Sequence, residues 1–135
     1  MNVFIPTAGI GSRLKEKTSD LNKSLLNINN KPIISHIIEN FPTNTKFIIA
    51  LGFKGDLVKQ FLKLTYPKKN IRFVNVWPYK GKKSGLGLTL LKSKKFLKKE
   101  FIFISCDTLI KEKIKKTKYN WIGFSNVKAN NHYRS

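Results

Sequence analysis

The sequence has a single cysteine, Cys106, and no uncharged apolar run of about 18 residues, the length that spans a bilayer. One cysteine cannot form an intrachain disulfide or a multi-cysteine metal site, which fits a reducing compartment. The start of the chain also lacks the basic and apolar segments of a secretory signal. These absences predict a cytoplasmic protein without a membrane span. The length of 135 residues predicts one domain, residues 1–135, with one core.

Acidic residues and arginines are also scarce. Seven Asp and Glu face 27 Lys and Arg, which gives a net charge of +20, and only three of those cations are arginines. Such a charge favours a polyanionic partner such as RNA, DNA or an anionic membrane. However, a protein that reads bases is expected to use more arginine, whose planar fork matches phosphates and guanine edges better than lysine does. Nucleic-acid binding is therefore disfavoured as the main function, although it stays an alternative.

Apolar runs and helical spacing alternate along the chain. Five short apolar runs bounded by turn signals predict strands over residues 3–6, 47–51, 71–76, 101–105 and 121–124. Apolar residues at helical spacing predict three helices between them, one opened by Pro32, one over 56–66 and one over 88–97. Their apolar positions are Ile33, Ile34, Ile37, Ile38 and Phe41, then Leu57, Phe61 and Leu64, then Leu90, Leu91 and Leu97.

This alternation predicts an α/β domain, a three-layer Rossmann-like fold with a mostly parallel sheet. The final stretch, N-V-K-A-N-N-H-Y-R-S over residues 126–135, is polar and shows no terminating element. The fold is therefore expected to be incomplete at its carboxyl-terminal end.

The segment F-I-P-T-A-G-I-G-S-R-L, residues 4–14, joins the first predicted strand to two glycines and Arg13. Exposed backbone N–H groups and a following cation at the carboxyl end of a parallel strand suit a polyphosphate. A dinucleotide-binding G-x-G-x-x-G would need glycine where Leu14 stands, and no Gly-Lys-Ser/Thr follows Gly9 as in a Walker loop. The spacing excludes both common phosphate loops and leaves a plain strand-to-helix turn as the alternative.

A second segment lies downstream of this loop, K-S-L-L-N-I-N-N-K-P-I over residues 23–33. Residues 8–14 and 23–33 match, in order and spacing, the patterns A-G-x-G-[ST]-R-[LM] and K-x-L-x-x-[IV]-x-x-[KR]-P-[IL]. In these segments the chain resembles the nucleotidyltransferase family that makes NDP-sugars and related activated alcohols. Asn22 stands where that family has a proline before the lysine.

The resemblance implies nucleotide contacts from the glycine loop and catalytic roles for two cations. Nucleoside contacts are implied for Ala8 and Gly9, and triphosphate contacts for Gly11, Ser12 and Arg13. The implied catalytic residues are Arg13 and Lys23, with Lys23 at the phosphates of the reacting centre. Each side chain suits its role, because a guanidinium grips phosphate oxygens bidentately and an ammonium is a compact charge.

Two further matches lie later in the chain. S-G-L-G-L-T-L-L, residues 84–91, resembles a glycine-rich element of the family and implies that Gly85 contacts the base and ribose; a helix cap is the alternative. Asp107 ends the apolar run F-I-F-I-S-C-D, where the family places an aspartate that binds Mg²⁺. The alternative is a turn or helix-capping aspartate. If strands two and three lie on one side of strand one and the Asp107 strand on the other, Arg13 and Asp107 face one crevice.

The reaction implied by the resemblance is attack of a phosphate monoester on the α-phosphorus of a nucleoside triphosphate, with pyrophosphate leaving. The acceptor is a sugar 1-phosphate or a phosphocholine-like substrate, and the product serves cell-surface polysaccharide synthesis. In that family a later half supplies most of the acceptor pocket and a second metal-binding aspartate, whereas Glu112 is the only acid after Asp107 here. The chain is thus expected to be truncated relative to the family. A nucleotide-binding fragment without activity stays an alternative, and no oligomeric state is predicted.

Overall fold

The computed structural model describes residues 1–11, 20–114 and 119–123, and it confirms a mostly parallel α/β architecture. The strands are β1 (Asn2–Pro6), β2 (Asn27–Ile28), β3 (Lys31–Pro32), β4 (Lys46–Leu51), β5 (Asn70–Asn75) and β6 (Ile102–Phe103). The helices are α1 (Ile33–Glu39), α2 (Gly55–Thr65) and α3 (Leu86–Ser93), with short 3-10 helices at Lys23–Leu25 and Lys94–Phe96.

The central sheet has four parallel strands in the order β5-β4-β1-β6. On β1, Val3 lies between Phe47 of β4 and Ile102 of β6. Because all four strands are parallel, the loops after β1 and β6 leave the sheet at the same edge. β4 and β5 lie on one side of β1 and β6 on the other, so the predicted reversal of strand order is confirmed. It falls between β1 and β6, where α/β folds bind ligands.

Side chains that alternate along β1 divide the core between the two faces of the sheet. Val3 and Ile5 belong to a cluster that includes buried residues of α1 and α2, such as Ile34 and Leu62. Phe4 points the opposite way, into a second cluster covered by α3 residues such as Leu88. Period-two alternation on a sheet covered on both faces produces this division. The predicted three layers are confirmed.

Helix α1 forms where isoleucines recur at helical spacing after Pro32. Ile33, Ile34, Ile37 and Ile38 are all buried, and Pro32, with φ −56°, supplies a backbone angle suited to a helix start. Its apolar face and its start agree with the sequence prediction.

Helices α2 and α3 differ from the prediction in the residues they bury. Val58 and Leu62 of α2 are fully buried, whereas Leu57 and Leu64 are 40% and 75% exposed. Gly55 at the start of α2 lies so near Leu51 that an added Cβ would be 2.9 Å from the Leu51 Cβ, and this close approach orients the helix. The assignment of Leu57 and Leu64 to the core was wrong.

Leu91 of α3 is likewise 58% exposed, because the helix turns Thr89 and Ser93 toward the sheet instead. The third helix also begins two residues earlier than predicted and gives way to a 3-10 helix at Lys94. Leu90 and Leu97 pack against the core as predicted.

One predicted strand is absent from the described residues, and one hairpin was not predicted. Residues 121–123 form no strand, and Ile122 is 91% exposed, so these apolar side chains find no sheet neighbour in the described part of the chain; Phe124 lies outside it. The antiparallel hairpin of β2 and β3 was not predicted. Its two-residue turn places Asn29 and Asn30 at φ 49° and 61°, angles that asparagine tolerates better than most residues.

Gly52 allows the loop after β4 to touch the loop after β1. A Cβ at this position would lie 2.5 Å from the Ala8 carbonyl oxygen and 2.8 Å from the Ala8 Cβ. Because these neighbours belong to the rigid sheet edge, we expect Gly52→Ala to lower the free energy of unfolding by roughly 1–3 kcal/mol. Urea denaturation of the purified chain measures this change.

The matched control is Gly87→Ala in α3, where an added Cβ meets no atom within 4 Å. This change should leave the free energy of unfolding the same or raise it by up to about 1 kcal/mol, since alanine favours helix over glycine. Equal stabilities for the two variants would contradict the close packing of Gly52 on Ala8.

Candidate functional site

Lys23 and Asp107, 84 residues apart in sequence, form an ion pair at the carboxyl edge of the sheet. The Lys23 Nζ lies 2.9 Å from Asp107 Oδ2. Lys23 begins a 3-10 helix, and Asp107 lies in the turn that follows β6. Their side chains are 21% and 50% exposed, so solvent and ligands can reach the pair. The fold therefore unites two of the predicted site residues.

Both members of this pair are charged at neutral pH. Partial burial raises the pKa of the Asp107 carboxyl, but hydrogen bonds from Ser105 and Lys23 outweigh burial and hold that pKa below its ordinary value. Partial burial likewise lowers the pKa of the Lys23 ammonium, but Cys106 and Asp107 outweigh it and hold that pKa above its ordinary value. A lowered carboxyl pKa keeps Asp107 ionised at neutral pH and into mild acid; its negative charge is lost as the pH falls through that pKa.

The loop after β1 exposes its backbone next to this pair. Thr7 is anchored to the sheet, because its N–H and its Oγ1 both donate to the Ala50 carbonyl, at 2.9 and 2.8 Å. Ala8 is buried, and its carbonyl accepts a hydrogen bond of 3.0 Å from the Phe53 N–H. Gly9 is exposed and has open space around it, and Gly11 has φ 66°. This backbone can approach a ligand closely. Ser12 and Arg13, the other predicted residues of the loop, lie outside the described residues.

Gly85 lies apart from the ion pair, in the loop between β5 and α3. Its φ of 137° and ψ of −179° are open only to glycine. Its carbonyl accepts hydrogen bonds from the N–H and the Oγ1 of Thr89, at 3.1 and 3.0 Å. Gly85 is thus required for the start of α3, as the capping alternative predicted, and its contact with a base stays a prediction.

Asn22, which departs from the family pattern in sequence, is a buried residue of the site that was not predicted. Its side chain has no solvent exposure and connects the loops after β1 and β4 to the segment that carries Lys23. The sequence signal that could have identified Asn22 is its position directly before Lys23, a lysine with a predicted role in the site. Ser105, which donates a hydrogen bond to Asp107 Oδ1, was also not predicted to support the site.

A divalent cation is compatible with Asp107 as its protein ligand. Within residues 1–11, 20–114 and 119–123, no group of three or more His, Cys, Asp or Glu side chains could hold a metal ion by itself. Mg²⁺, however, is commonly held by one or two carboxylates together with substrate phosphates and water. An ionised, half-exposed carboxylate in the turn after β6 fits that arrangement.

Cys106 lies between the β6 segment and Asp107 and is shielded from solvent. Its side chain is fully buried, and burial raises the pKa of the thiol to about 11 despite the opposing effect of Lys23. At pH 8 the native chain should react with a disulfide reagent about a hundredfold more slowly than the unfolded chain, because the thiolate is the reacting form. Cys106 is the single cysteine, so the chromophore that the disulfide reagent releases reports the reaction of this thiol alone. Equal rates before and after addition of denaturant would contradict its burial.

Sequence comparisons find relatives of one enzymatic type, although no family model matches the chain. The chain is 28% identical over 115 residues to a bifunctional protein GlmU of Methanococcus vannielii, covering 84% of this chain and 26% of the relative. It is 26% identical over 122 residues to a D-glycero-alpha-D-manno-heptose 1-phosphate guanylyltransferase of Campylobacter jejuni, covering 89% of this chain and 53% of the relative.

Comparison with solved structures identifies the fold. The CTP:phosphocholine cytidylyltransferase of Streptococcus pneumoniae superposes with a TM-score of 0.70 at 24% identity, covering 85% of this chain and 48% of that structure. The fold is therefore that of the Rossmann-like nucleotidyltransferases. The sequence relatives confirm the predicted resemblance to the sugar-1-phosphate nucleotidyltransferases. The chain spans between about a quarter and about a half of the length of these proteins.

In the described ranges, no helix has the length and apolar character needed to cross a membrane.

Proposed function

We propose that the chain transfers a nucleoside monophosphate from a nucleoside triphosphate to a sugar 1-phosphate or a similar phosphate monoester, with release of pyrophosphate. The observation that carries this proposal is the Lys23–Asp107 ion pair of 2.9 Å at the reversal of strand order, beside an open glycine loop. The activities of the relatives, among them guanylyl transfer to a heptose 1-phosphate, support the reaction class. A phosphocholine-like acceptor is supported by the cytidylyltransferase with the same fold.

In this proposal the protein aligns the reactants and stabilises negative charge. The acceptor phosphate attacks the α-phosphorus, and charge develops on the phosphate oxygens as pyrophosphate leaves. A lysine ammonium has three donors, so Lys23 can bind a phosphate oxygen while it stays paired with Asp107. The backbone at Gly9 and Gly11 would contact the nucleotide together with Ala8 and Gly85.

The triphosphate contacts that we propose for Ser12 and Arg13 rest on the sequence pattern alone.

We propose Mg²⁺ as the cofactor, with Asp107 as its ligand from this chain. When bound, the ion would neutralise charge on the phosphate oxygens. The proposed metal site is supported by the Asp107 carboxylate, which is half-exposed and has a lowered pKa. It is therefore ionised at the place where a cation and phosphates would meet. Asp107 is also oriented without the metal, because Ser105 and Lys23 each hold one of its oxygens.

We further propose that the product is a precursor of cell-surface polysaccharide and that the chain works in the cytoplasm, where nucleoside triphosphates are held. The single cysteine is compatible with that compartment.

A nucleotide-binding chain without turnover is the second candidate function. It is favoured by the coverage of the relatives, 26% and 53% of their lengths, since the resemblance places most of the acceptor pocket in the part of the family that this chain does not match. This candidate shares the loop after β1 and the Lys23–Asp107 pair with the first, and it differs only in lacking transfer.

Thermal unfolding in the presence of CTP, UTP, GTP, ATP or dTTP, with and without Mg²⁺, tests both candidates. At a nucleotide concentration a hundred times its dissociation constant, the preferred nucleotide should stabilise the chain by about 2.7 kcal/mol. Pyrophosphate release is then measured after addition of sugar 1-phosphates or phosphocholine.

Pyrophosphate release with one acceptor supports transfer, and stabilisation without release favours the second candidate. No stabilisation by any nucleotide contradicts both. Tight and steeply salt-dependent RNA binding with indifference to nucleotides would instead identify the basic surface as the functional one.

A further inference from the structure

Asn22 is a fully buried polar side chain whose hydrogen-bonding capacity is completely used. Its Nδ2 donates to the carbonyl oxygens of Thr7 and Phe53, at 2.8 and 2.7 Å. Its Oδ1 accepts from the N–H and the Oγ of Ser24, at 3.0 and 2.8 Å. A carboxamide offers two donor hydrogens and two acceptor lone pairs, so these four bonds satisfy it. Burial of such a group is tolerated because every bond lost to water is replaced.

These four bonds join three segments that are distant in sequence. Thr7 follows β1 and precedes the glycine loop, Phe53 follows β4, and Ser24 follows Lys23 in the 3-10 helix. The two carbonyls lie in loops that are themselves fixed by hydrogen bonds. The N–H and Oγ1 of Thr7 donate to the Ala50 carbonyl, and the Phe53 N–H donates to the Ala8 carbonyl. Asn22 thus attaches the Lys23 segment to the loops at the carboxyl edge of the sheet.

Capping of the 3-10 helix explains only half of this arrangement. The bond from the Ser24 N–H to Oδ1 is an N-cap contact, which serine or aspartate would provide equally well. A cap has no need of the two bonds that Nδ2 donates to other loops. A serine is too short to reach both carbonyls, and an aspartate would place a carboxylate oxygen against them. The side-chain amide therefore fixes the positions of these loops relative to one another.

We propose that Asn22 is a positioning residue that sets where the Lys23 ammonium stands relative to the nucleotide loop, and that transfer depends on it. The inference rests on the proposed function, because Lys23 acts there on the phosphates. Asn22 has no solvent exposure and acts through Lys23 rather than on substrate. Its main chain has φ −66°, close to the angle that a proline imposes, so the side-chain bonds rather than an unusual backbone distinguish the position.

The test compares two variants that divide the four bonds. Asn22→Ser keeps a hydroxyl that can cap the 3-10 helix but removes the tie to Thr7 and Phe53. Asn22→Thr, which keeps the hydroxyl and fills more of the vacated volume, is the second variant if the serine variant does not fold. Ser24→Ala is the matched control, because it removes one bond from the same buried cluster and leaves the tie intact. We expect kcat of Asn22→Ser to fall at least about tenfold with KM for the nucleotide within about threefold, since a shift of about 1 Å at a reacting centre can cost about 10²-fold. Ser24→Ala should keep kcat within about threefold of the wild-type value.

A second readout does not depend on turnover. Acetylation of lysines, followed by peptide mass spectrometry, measures how well Lys23 is protected relative to Lys31, which lies in β3 and pairs with Glu39. In Asn22→Ser the protection of Lys23 should fall while that of Lys31 stays the same. A merely structural role would expose both lysines together.

Unchanged kcat in Asn22→Ser would overturn the inference, as would a loss of kcat in Ser24→Ala equal to that in Asn22→Ser. A wild-type chain that binds nucleotide but transfers nothing would contradict the transfer function and, with it, the catalytic part of the inference. In that case the acetylation pattern still decides whether Asn22 holds Lys23: selective loss of Lys23 protection supports the positioning, and no change refutes it.

Discussion

Replacement of Lys23 by alanine is expected to lower the rate constant of nucleotidyl transfer by about 10²–10³-fold, the loss seen when one donor to a developing negative charge is removed. The ammonium lies at the carboxyl edge of the sheet, paired with Asp107 at 2.9 Å, where the proposed reaction takes place. Single-turnover transfer with saturating nucleotide measures the rate of the chemical step. Stability should change little, because a partly exposed ion pair contributes about 0–1 kcal/mol.

Lys31→Ala is the matched control for this variant. Lys31 also forms a lysine–carboxylate pair, with its Nζ 2.6 Å from Glu39 Oε2, but it belongs to the β2–β3 hairpin. Lys31→Ala should keep the transfer rate within about twofold of the wild-type value. It should change the free energy of unfolding by an amount similar to that of Lys23→Ala. Equal transfer rates in the two variants would show that Lys23 is an ordinary surface cation.

Replacement of Asp107 by asparagine is expected to weaken Mg²⁺ binding in the nucleotide complex by at least about 10–100-fold, the range observed when residues that merely support a metal ligand are changed. Asparagine keeps the size of the side chain but removes the negative charge that a hard cation requires. The hydrogen bond from Ser105 to the side-chain oxygen at position 107 can persist, so the turn after β6 should keep its conformation. Titration of Mg²⁺ into the nucleotide complex, followed by calorimetry, measures the affinity.

Glu100→Gln removes the same charge at the opposite edge of the sheet, just before β6. This control should leave the Mg²⁺ affinity within about twofold, because a surface charge beyond a Debye length of about 10 Å is screened. A similar loss in both variants would mean that the net charge of the chain, and not Asp107, governs the affinity.

The sheet and the reversal of strand order were predictable because buried parallel strands carry a strong local signal. The run at residues 47–51 has no polar interruption, because a strand buried on both faces needs no alternation, whereas Arg72 and Asn75 interrupt the run at 71–76, which forms the edge strand β5. The order of those strands followed from short right-handed connections. The same local rule failed at residues 121–123, where an apolar run without a sheet neighbour forms no strand in the described chain.

Details that depend on close contacts between distant segments were not predictable. The rotation of α2 is set by the approach of Gly55 to Leu51, and periodicity alone could not choose Val58 and Leu62 over Leu57 and Leu64. Lys23 and Asp107 were each predicted from a motif, but their direct pairing requires the fold. The role of Asn22 was missed because its partners, Thr7 and Phe53, are 15 and 31 residues away.

The central claim is that a nucleoside triphosphate and Mg²⁺ bind between the loops after β1 and β6. A crystal structure of the chain with a non-hydrolysable triphosphate and Mg²⁺ tests it most directly. We predict phosphate density within hydrogen-bonding distance of the Lys23 Nζ and metal density at the Asp107 carboxylate, with the nucleoside against Ala8 and Gly9. A nucleotide bound elsewhere, with Lys23 and Asp107 still paired and untouched, would contradict the account.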